Sequence, residues 1–315
     1  MAKKINIIAR TNGAGLDRDV DLIHEALTAG GFQVTVSHCR AISPLRAILP
    51  NKPRFDANIF LERVFPRWLS SARKNLLIPN QERFPERHLG RLKKIDHILC
   101  KSRHAEEIFS KHGETEYIGF TSENMSDDSI QPDYQSFFHL AGRSTLKGTE
   151  TILALWKKHP EWPLLTIVQC KENAPETVPD NIHLITDYIP HEEIKRHLNT
   201  HGIHLCTSLS EGWGHYIVEA MSCRAVVVTT DAPPMNELIT PARGIPVPFD
   251  HSEPRHLGIN FHIDASKLES NIQELLLMTE EKKKDYGVRA RAWFEENNTS
   301  FNKNLPTVVT NILGN

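Results

Sequence analysis

No stretch of this chain is apolar for long enough to span a bilayer, so no membrane-crossing helix is expected. The start, MAKKINIIAR, sets two lysines before an apolar run, but Arg10 interrupts that run too early for a signal-peptide core. A cytoplasmic location is therefore expected. Cysteine is scarce: Cys39, Cys100, Cys170, Cys206 and Cys223 are odd in number, lack C-x-x-C spacing and sit mostly at the ends of apolar runs. That argues against a disulfide framework and for reduced, buried thiols. The chain is not poor enough in apolar residues to stay disordered, with 39% hydrophobic against 24% charged. Its 315 residues suit two globular domains.

Net charge is also nearly absent, at -2, but the balance hides an asymmetry. Residues 1–104 hold 19 Lys or Arg against 9 Asp or Glu, a net of +10, and the remainder carries -12. A basic first half suits an anionic acceptor or surface: a lipid-linked molecule, a nucleic acid or a phosphorylated compound. RFPERHLGRLKKIDHILCKSRH, from Arg83 to His104, is the most concentrated segment. It mixes cations with aromatic and aliphatic residues as a peripheral membrane helix or a phosphate-tracking surface does. Peripheral attachment to a membrane is thus compatible with a cytoplasmic chain.

What the sequence has in plenty is alternation of strand and helix. INIIA, QVTVS, ANIFL, NLLIP, HILC and EYIGF occupy the first 120 residues as short apolar runs, with DRDVDLIHEALTAGG an obvious helix stopped by a glycine pair. TSENMSDDSIQPDYQS, residues 121–136, is polar and broken by Pro132, a linker candidate. The rhythm then restarts with FFHLAG, TILALWKKH, LLTIVQ, IHLI, GIHLC and AVVVT. This is the pattern of parallel sheets, and it predicts an α/β chain of two Rossmann-like doubly wound domains facing a central cleft. The expected limits are 1–130 and 131–298, with 299–315 a last helix packing back on the first domain despite Pro306.

Two segments carry chemistry. In GIHLCTSLSEGWGHYIVEAMSC an apolar strand leads through a turn into a helix, whose first amides favour an anion. Glu211 lies in the turn and Glu219 in the helix, and paired carboxylates accept hydrogen bonds from vicinal hydroxyls. Gly212 and Gly214, flanking Trp213, let the backbone approach a ligand. In HLAGRSTLKGTE a strand ends at Gly142, and Arg143 and Lys147 reach the same sheet edge, where two fixed cations suit a diphosphate.

G-R-x-x-x-K-G at Gly142–Gly148 and E-G-x-G-x-x-x-x-E-A-M at Glu211–Met221 together resemble the retaining glycosyltransferases of family 4 (glycosyl transferases group 1), enzymes of the GT-B fold. The resemblance is clear over residues 137–240. It implies a donor that is a nucleoside-diphosphate sugar, a UDP or GDP sugar, with no further cofactor. It implies that Arg143 and Lys147 bind the diphosphate, Glu211 the transferred sugar and Glu219 the ribose. Tyr188 and Ile189 would lie near the base, and Gly142, Gly212, Gly214, His215 and Tyr216 would line the donor, with His215 able to meet a phosphate or an acceptor hydroxyl. Gly13 and Gly15, in the NGAG turn after the first strand, would approach the phosphates with backbone amides. It also implies retention of anomeric configuration through departure and attack on one face.

Departures from the family pattern are Asn80, Gln81 and Glu82 where a histidine is common after the fourth strand, Arg224 where glycine is common before Ala225, and DAPPMNEL in place of a glycine-rich turn. His197, His201 and His204 have partial metal-ligand spacing, but a helix terminus explains them and no metal is expected. Trp156 and Trp162 are expected to pack rather than to stack on a ligand. Two other functions share the features above. One is a non-enzymatic binder of nucleotide sugars or polyanions; the other is a GT-B-fold sugar-nucleotide epimerase, which would make product from donor alone.

Overall fold

A computed structural model describes residues 2–10, 15–41 and 53–314 of the chain. Contacts divide it into two units. The first is Met1–Glu123 with Pro254–Gly258 and Glu296–Asn315, and the second is Asn124–Glu253 with Ile259–Glu295.

In the first unit the apolar runs become β1 (Lys4–Ala9), β2 (Gln33–His38), β3 (Phe55–Leu61), β4 (Ala72–Ile78), β5 (His97–Cys100) and β6 (Thr115–Tyr117). They form one parallel sheet in the order β2-β1-β3-β4-β5-β6, with Ile7 opposite Ile59 and Ile59 opposite Leu76. β1 is buried from Ile5 to Ala9, as a strand covered on both faces must be. Helix α1 (Gly15–Ala29) ends at the glycine pair, where Gly31 takes φ +86°. Helix α2 (Arg103–Phe109) starts where the Ser102 hydroxyl accepts the Ala105 amide. The basic segment is not an amphipathic helix. Pro85 lies near its start, and the segment runs through a 3-10 turn at Glu86–Lys94 that buries only Leu92, then strand β5 and the first residues of α2.

The second unit repeats the scheme. Strands β7 (Asp133–Gly142), β8 (Leu165–Gln169), β9 (Ile182–Ile185), β10 (His201–Cys206), β11 (Val226–Thr230) and β12 (Ile245–Val247) pair in parallel in the order β12-β11-β10-β7-β8-β9. Helices α3 (Thr149–Lys158), α4 (His191–Thr200), α5 (His215–Ser222), the short α6 (Met235–Leu238) and α7 (Ala265–Leu277) complete it. The last four residues of the 121–136 linker candidate are strand, because Gly202 packs against Asp133 and Tyr134, and the Tyr134 hydroxyl donates to Arg224 O at 2.8 Å. A two-stranded ribbon, β13 (Phe249–Arg255) and β14 (Gly258–Ile263), follows β12. The first of these strands is exposed along nearly its whole length and lacks the alternation that marks a strand in sequence.

Neighbouring residues of β7 serve opposite faces of this sheet. Phe137 joins Trp156, Leu165, Ile203, Val226 and Leu268, whereas Phe138 joins Met125, Val168, Ile189, Leu198 and Cys223. Each fully buried phenylalanine contributes roughly 1.5–3 kcal/mol. Trp156 and Trp162 are buried, with ring centroids 4.9 Å apart. All five cysteines are free, and four of them are buried.

Helix α8 (Glu280–Gly314) is unbroken at Pro306. Its carboxyl half packs within the first unit: Phe301 against Phe120 at 5.0 Å, and the Asn304 amide donating to the carbonyls of Tyr117 and Ile118. Gly30 leaves room for the proline ring, since a Cβ there would stand 2.4 Å from Pro306 Cβ. These contacts hold the helix where the proline alone disfavours it.

His197, His201 and His204 surround the ring of Phe138, with centroids 5.7, 5.1 and 5.3 Å away. His201 Nδ1 bonds to His197 O at 2.9 Å and its Nε2 to Thr166 Oγ1 at 3.1 Å, and His204 Nε2 bonds to His201 O at 3.0 Å. Burial is the main cause holding all three below the ordinary imidazole range, His204 down to about 3. The unfolded chain therefore takes up protons between about pH 6.5 and 3 that the folded chain refuses, and stability falls as pH falls through that window. Urea midpoints measured from about pH 7.5 to about pH 5 should drop steeply for the native chain. They should drop less steeply for His204→Gln, even though that variant starts lower.

Candidate active site at the switch point of the second sheet

In an open parallel sheet, ligands bind outside the carboxyl ends of the two strands where the connections diverge. In the second unit these strands are β7 and β10, since the chain runs from β7 outward to β8 and β9, then returns to β10 and proceeds to β11 and β12 on the other side. The loop after β7 carries Arg143 and Lys147, and the loop after β10 carries Glu211. The two motifs are therefore neighbours because their strands are.

Their junction is tight. Gly148 adopts φ +68°, and a Cβ on it would lie 2.3 Å from Thr207 O. Thr207 Oγ1 donates to Lys147 O at 2.8 Å, and Leu209 N donates to Leu146 O at 2.9 Å. Beneath, His139 on β7 links Leu205 O on β10, at 2.7 Å, to Thr149 Oγ1 at the start of α3, at 2.9 Å. Burial lowers the His139 pKa to about 4, so the ring is neutral at neutral pH.

Within this frame Lys147 Nζ lies 2.5 Å from Glu211 Oε1 and 3.6 Å from the centroid of the Tyr216 ring. The Ser208 hydroxyl donates to the same Glu211 oxygen at 2.5 Å, and lies 2.6 Å from Tyr216 Oη. Tyr216 is held far above the ordinary phenol range, first by burial and then by the nearby charges, so it remains a neutral hydroxyl. Lys147 and Glu211 are 16% and 15% exposed, open enough to meet a ligand yet screened from bulk water. A cation, a carboxylate and two hydroxyls side by side match a ligand that carries phosphate next to hydroxyl groups.

Helix α5 starts at the same place. Gly214 takes φ +111° and, as a glycine, offers no capping side chain, and the first intrahelical bonds to Gly214 O come from Ile217 and Val218. The amides of His215 and Tyr216 precede that ladder, an arrangement that favours an anion. Glu219 lies in α5, buried, close to Cys206 and Cys223, whose thiol pKa values are raised first by burial and to a lesser degree by Glu219.

The remaining expected positions are more dispersed. Gly142, φ +55°, ends β7, and Arg143 beside it is exposed, with its carbonyl accepting from Asn173 Nδ2 at 3.1 Å. Gly212 is buried. Tyr188 is 90% exposed between β9 and α4, while the Ile189 side chain is part of the core and leaves only its backbone available. Gly13 lies outside the described residues, and Gly15 opens α1. Asn80, where the family pattern has histidine, accepts from Lys101 Nζ at 3.1 Å, and Lys101 pairs with Asp19 at 2.5 Å in the interior of the first unit.

Sequence reasoning missed Ser208, Thr207, Thr149 and His139. Ser208 had a signal, standing between a strand end and Glu211; His139 had none, being one residue of an apolar strand. It also missed the brace from β14, where Phe261 N donates to Leu209 O at 2.8 Å and Ser210 Oγ donates to Asn260 Oδ1 at 3.0 Å.

Comparison with known proteins bears on the family and the fold. Residues 169–293, within the second unit, match the family model described as glycosyl transferases group 1. Among solved structures, a glycosyltransferase from Rickettsia africae superposes with TM-score 0.76 at 14% identity, covering 100% of this chain and 99% of its own. HepE of Anabaena, solved with UDP and glucose, gives 0.71 at 13% identity over 98% and 100%. Sucrose-phosphate synthase of Thermosynechococcus elongatus gives 0.66 at 15% identity over 98% of each chain. The fold is thus GT-B. No protein of curated function matches the sequence.

The Gly148 junction is directly testable. Gly148→Ala combines a left-handed backbone, which costs roughly 1–2 kcal/mol, with a clash against Thr207 O. The variant should lose at least ~2 kcal/mol in urea denaturation. An unchanged midpoint would mean that the two loops are not held this closely.

Proposed function

We propose that the protein transfers a sugar from a nucleoside-diphosphate sugar to an acceptor hydroxyl with retention of anomeric configuration. The observation that carries this reading is the convergence of Lys147, Glu211, Ser208 and Tyr216 at the β7–β10 switch point, beside the start of α5. A UDP sugar is the first candidate donor, since HepE of Anabaena is solved with UDP-glucose, and a GDP sugar is the second.

In this reading Lys147 and Arg143 take the diphosphate, Glu211 the hydroxyls of the sugar and Glu219 the ribose. Gly142, Gly212 and Gly214 permit close backbone approach, and His215 and Tyr216 present their amides. Tyr188 and the Ile189 backbone attend the base. The acceptor oxygen bonds to the anomeric carbon, the bond from that carbon to the diphosphate breaks, and the acceptor's proton passes to the departing diphosphate. The charge that grows there is met by two side-chain cations and a helix start, so the scheme requires no metal.

Thermal denaturation across a panel of nucleotides and nucleotide sugars tests the reading. A ligand at about 100 times its dissociation constant adds roughly 2.7 kcal/mol of stability, a visible rise in midpoint. One nucleotide family should raise the native midpoint and leave Lys147→Ala unmoved. That variant should itself remain folded, because Glu211 keeps its bond from Ser208. A folded native chain that responds to no nucleotide sugar would sink the proposal, and product formed from donor alone would instead indicate an epimerase.

A further inference from the structure

The first unit has its own switch point, between β1 and β3, and the chain leaving β3 there is Glu62-Arg63. The chain leaving the adjacent β4 leads into the 3-10 turn Glu86–Lys94, which carries Arg87, His88 and Arg91. The two segments are joined where Arg91 Nη1 donates to Val64 O at 3.3 Å, and His88 is set edge-on to the buried ring of Phe84 at 6.2 Å.

The cations gathered there are not neutralised. Among the described residues no ion pair joins Arg63, Arg87 or Arg91 to an acid. Of the acids nearest in sequence, Glu82 pairs with Arg83 at 3.7 Å, Glu62 accepts from the Asn80 amide at 3.5 Å, and Glu86, beside Arg87, is exposed and in no ion pair among the described residues. Lys101, on the same sheet edge, is already paired with Asp19. Two nitrogens in the cluster, Arg63 Nε and His88 Nδ1, are shielded from solvent and have no hydrogen-bond partner among the described residues. Buried nitrogens left in this state call for a partner, and among cations that partner is an anion. The field agrees: His88 is held below the ordinary imidazole range by burial and then by Arg91, Arg87 and Arg63.

We propose that Arg63, Arg87, His88 and Arg91 form a phosphate-binding site, and that the acceptor of the transferred sugar bears a phosphate or diphosphate. The claim about the acceptor rests on the glycosyl-transfer reading above; the phosphate site does not. Guanidinium forks suit phosphate oxygens better than any other side chain does. A membrane-inserting surface fits less well. Of the large apolar side chains exposed among the described residues, none belongs to this edge, and Leu92 of the basic turn is buried.

The whole chain carrying Lys147→Ala, in which the proposed donor site is disabled, is titrated with inorganic pyrophosphate while the His88 ring resonances are followed by NMR. Saturable binding that shifts His88 is expected, weakened about tenfold or more in Arg63→Gln/Arg91→Gln at an unchanged thermal midpoint. A parallel arm uses vesicles of equal parts phosphatidylcholine and phosphatidylglycerol. Sedimentation with them that depends on the same two arginines supports the site and assigns its phosphate to a lipid headgroup, whereas pyrophosphate binding alone assigns it to a soluble compound. Binding of neither by the folded protein, binding undiminished by the arginine substitutions, or retention only on single-stranded RNA would overturn the proposal. If the native chain binds no nucleotide sugar yet His88 still responds to pyrophosphate, the phosphate site stands and the glycosyl-transfer reading falls.

Discussion

The close approach of Gly148 to the backbone of Thr207 is the constraint on which the second unit's site depends. Two parallel strands from distant parts of the chain lie side by side, and the loops that leave them must pass within van der Waals distance. Only a residue without Cβ, in a left-handed conformation, allows this. Once it is made, Thr207 and Leu209 bond to the backbone at Leu146 and Lys147, and the side chain of Lys147 has few places to go except onto Tyr216 and Glu211. His139 secures the same junction from below, and its neutrality follows from burial.

Charge is handled differently in the two units. In the second, the ionic groups of the site compensate one another, and the buried histidines give up their charge to remain in the interior. In the first, Lys101 is neutralised by Asp19, but among the described residues Arg63, Arg87 and Arg91 are in no ion pair, at an edge where parallel sheets bind ligands. An excess of positive charge costs stability through self-repulsion, so its concentration around His88 is more informative than the net charge of that half of the chain.

Much of the fold was legible in sequence because a strand covered on both faces has to be apolar throughout, as INIIA, HILC and AVVVT are. The ribbon β13–β14 was not, since DHSEPR is exposed and carries no period of two. The basic segment after β4 has a composition that suits an amphipathic helix, but it divides into a 3-10 turn, strand β5 and the start of α2. At Pro306 a helix was expected and is present, because the local helix-breaking tendency is outweighed by the space that Gly30 leaves and by the bonds of Asn304.

The sequence by itself determined which chemical groups are present and where each stands along its element: Arg143 and Lys147 after one strand, Glu211 after another, and glycines at the left-handed positions 142, 148 and 214. Local spacing is enough for that, since strand, turn and helix start are set by neighbours in the chain. Only the tertiary structure decided that Lys147 meets Glu211, that Ser208 and Tyr216 complete the group, and that arginines from two different loops converge on His88. Those meetings depend on which strands pair, and strand order is set by how whole layers bury their apolar faces rather than by any local stretch of residues.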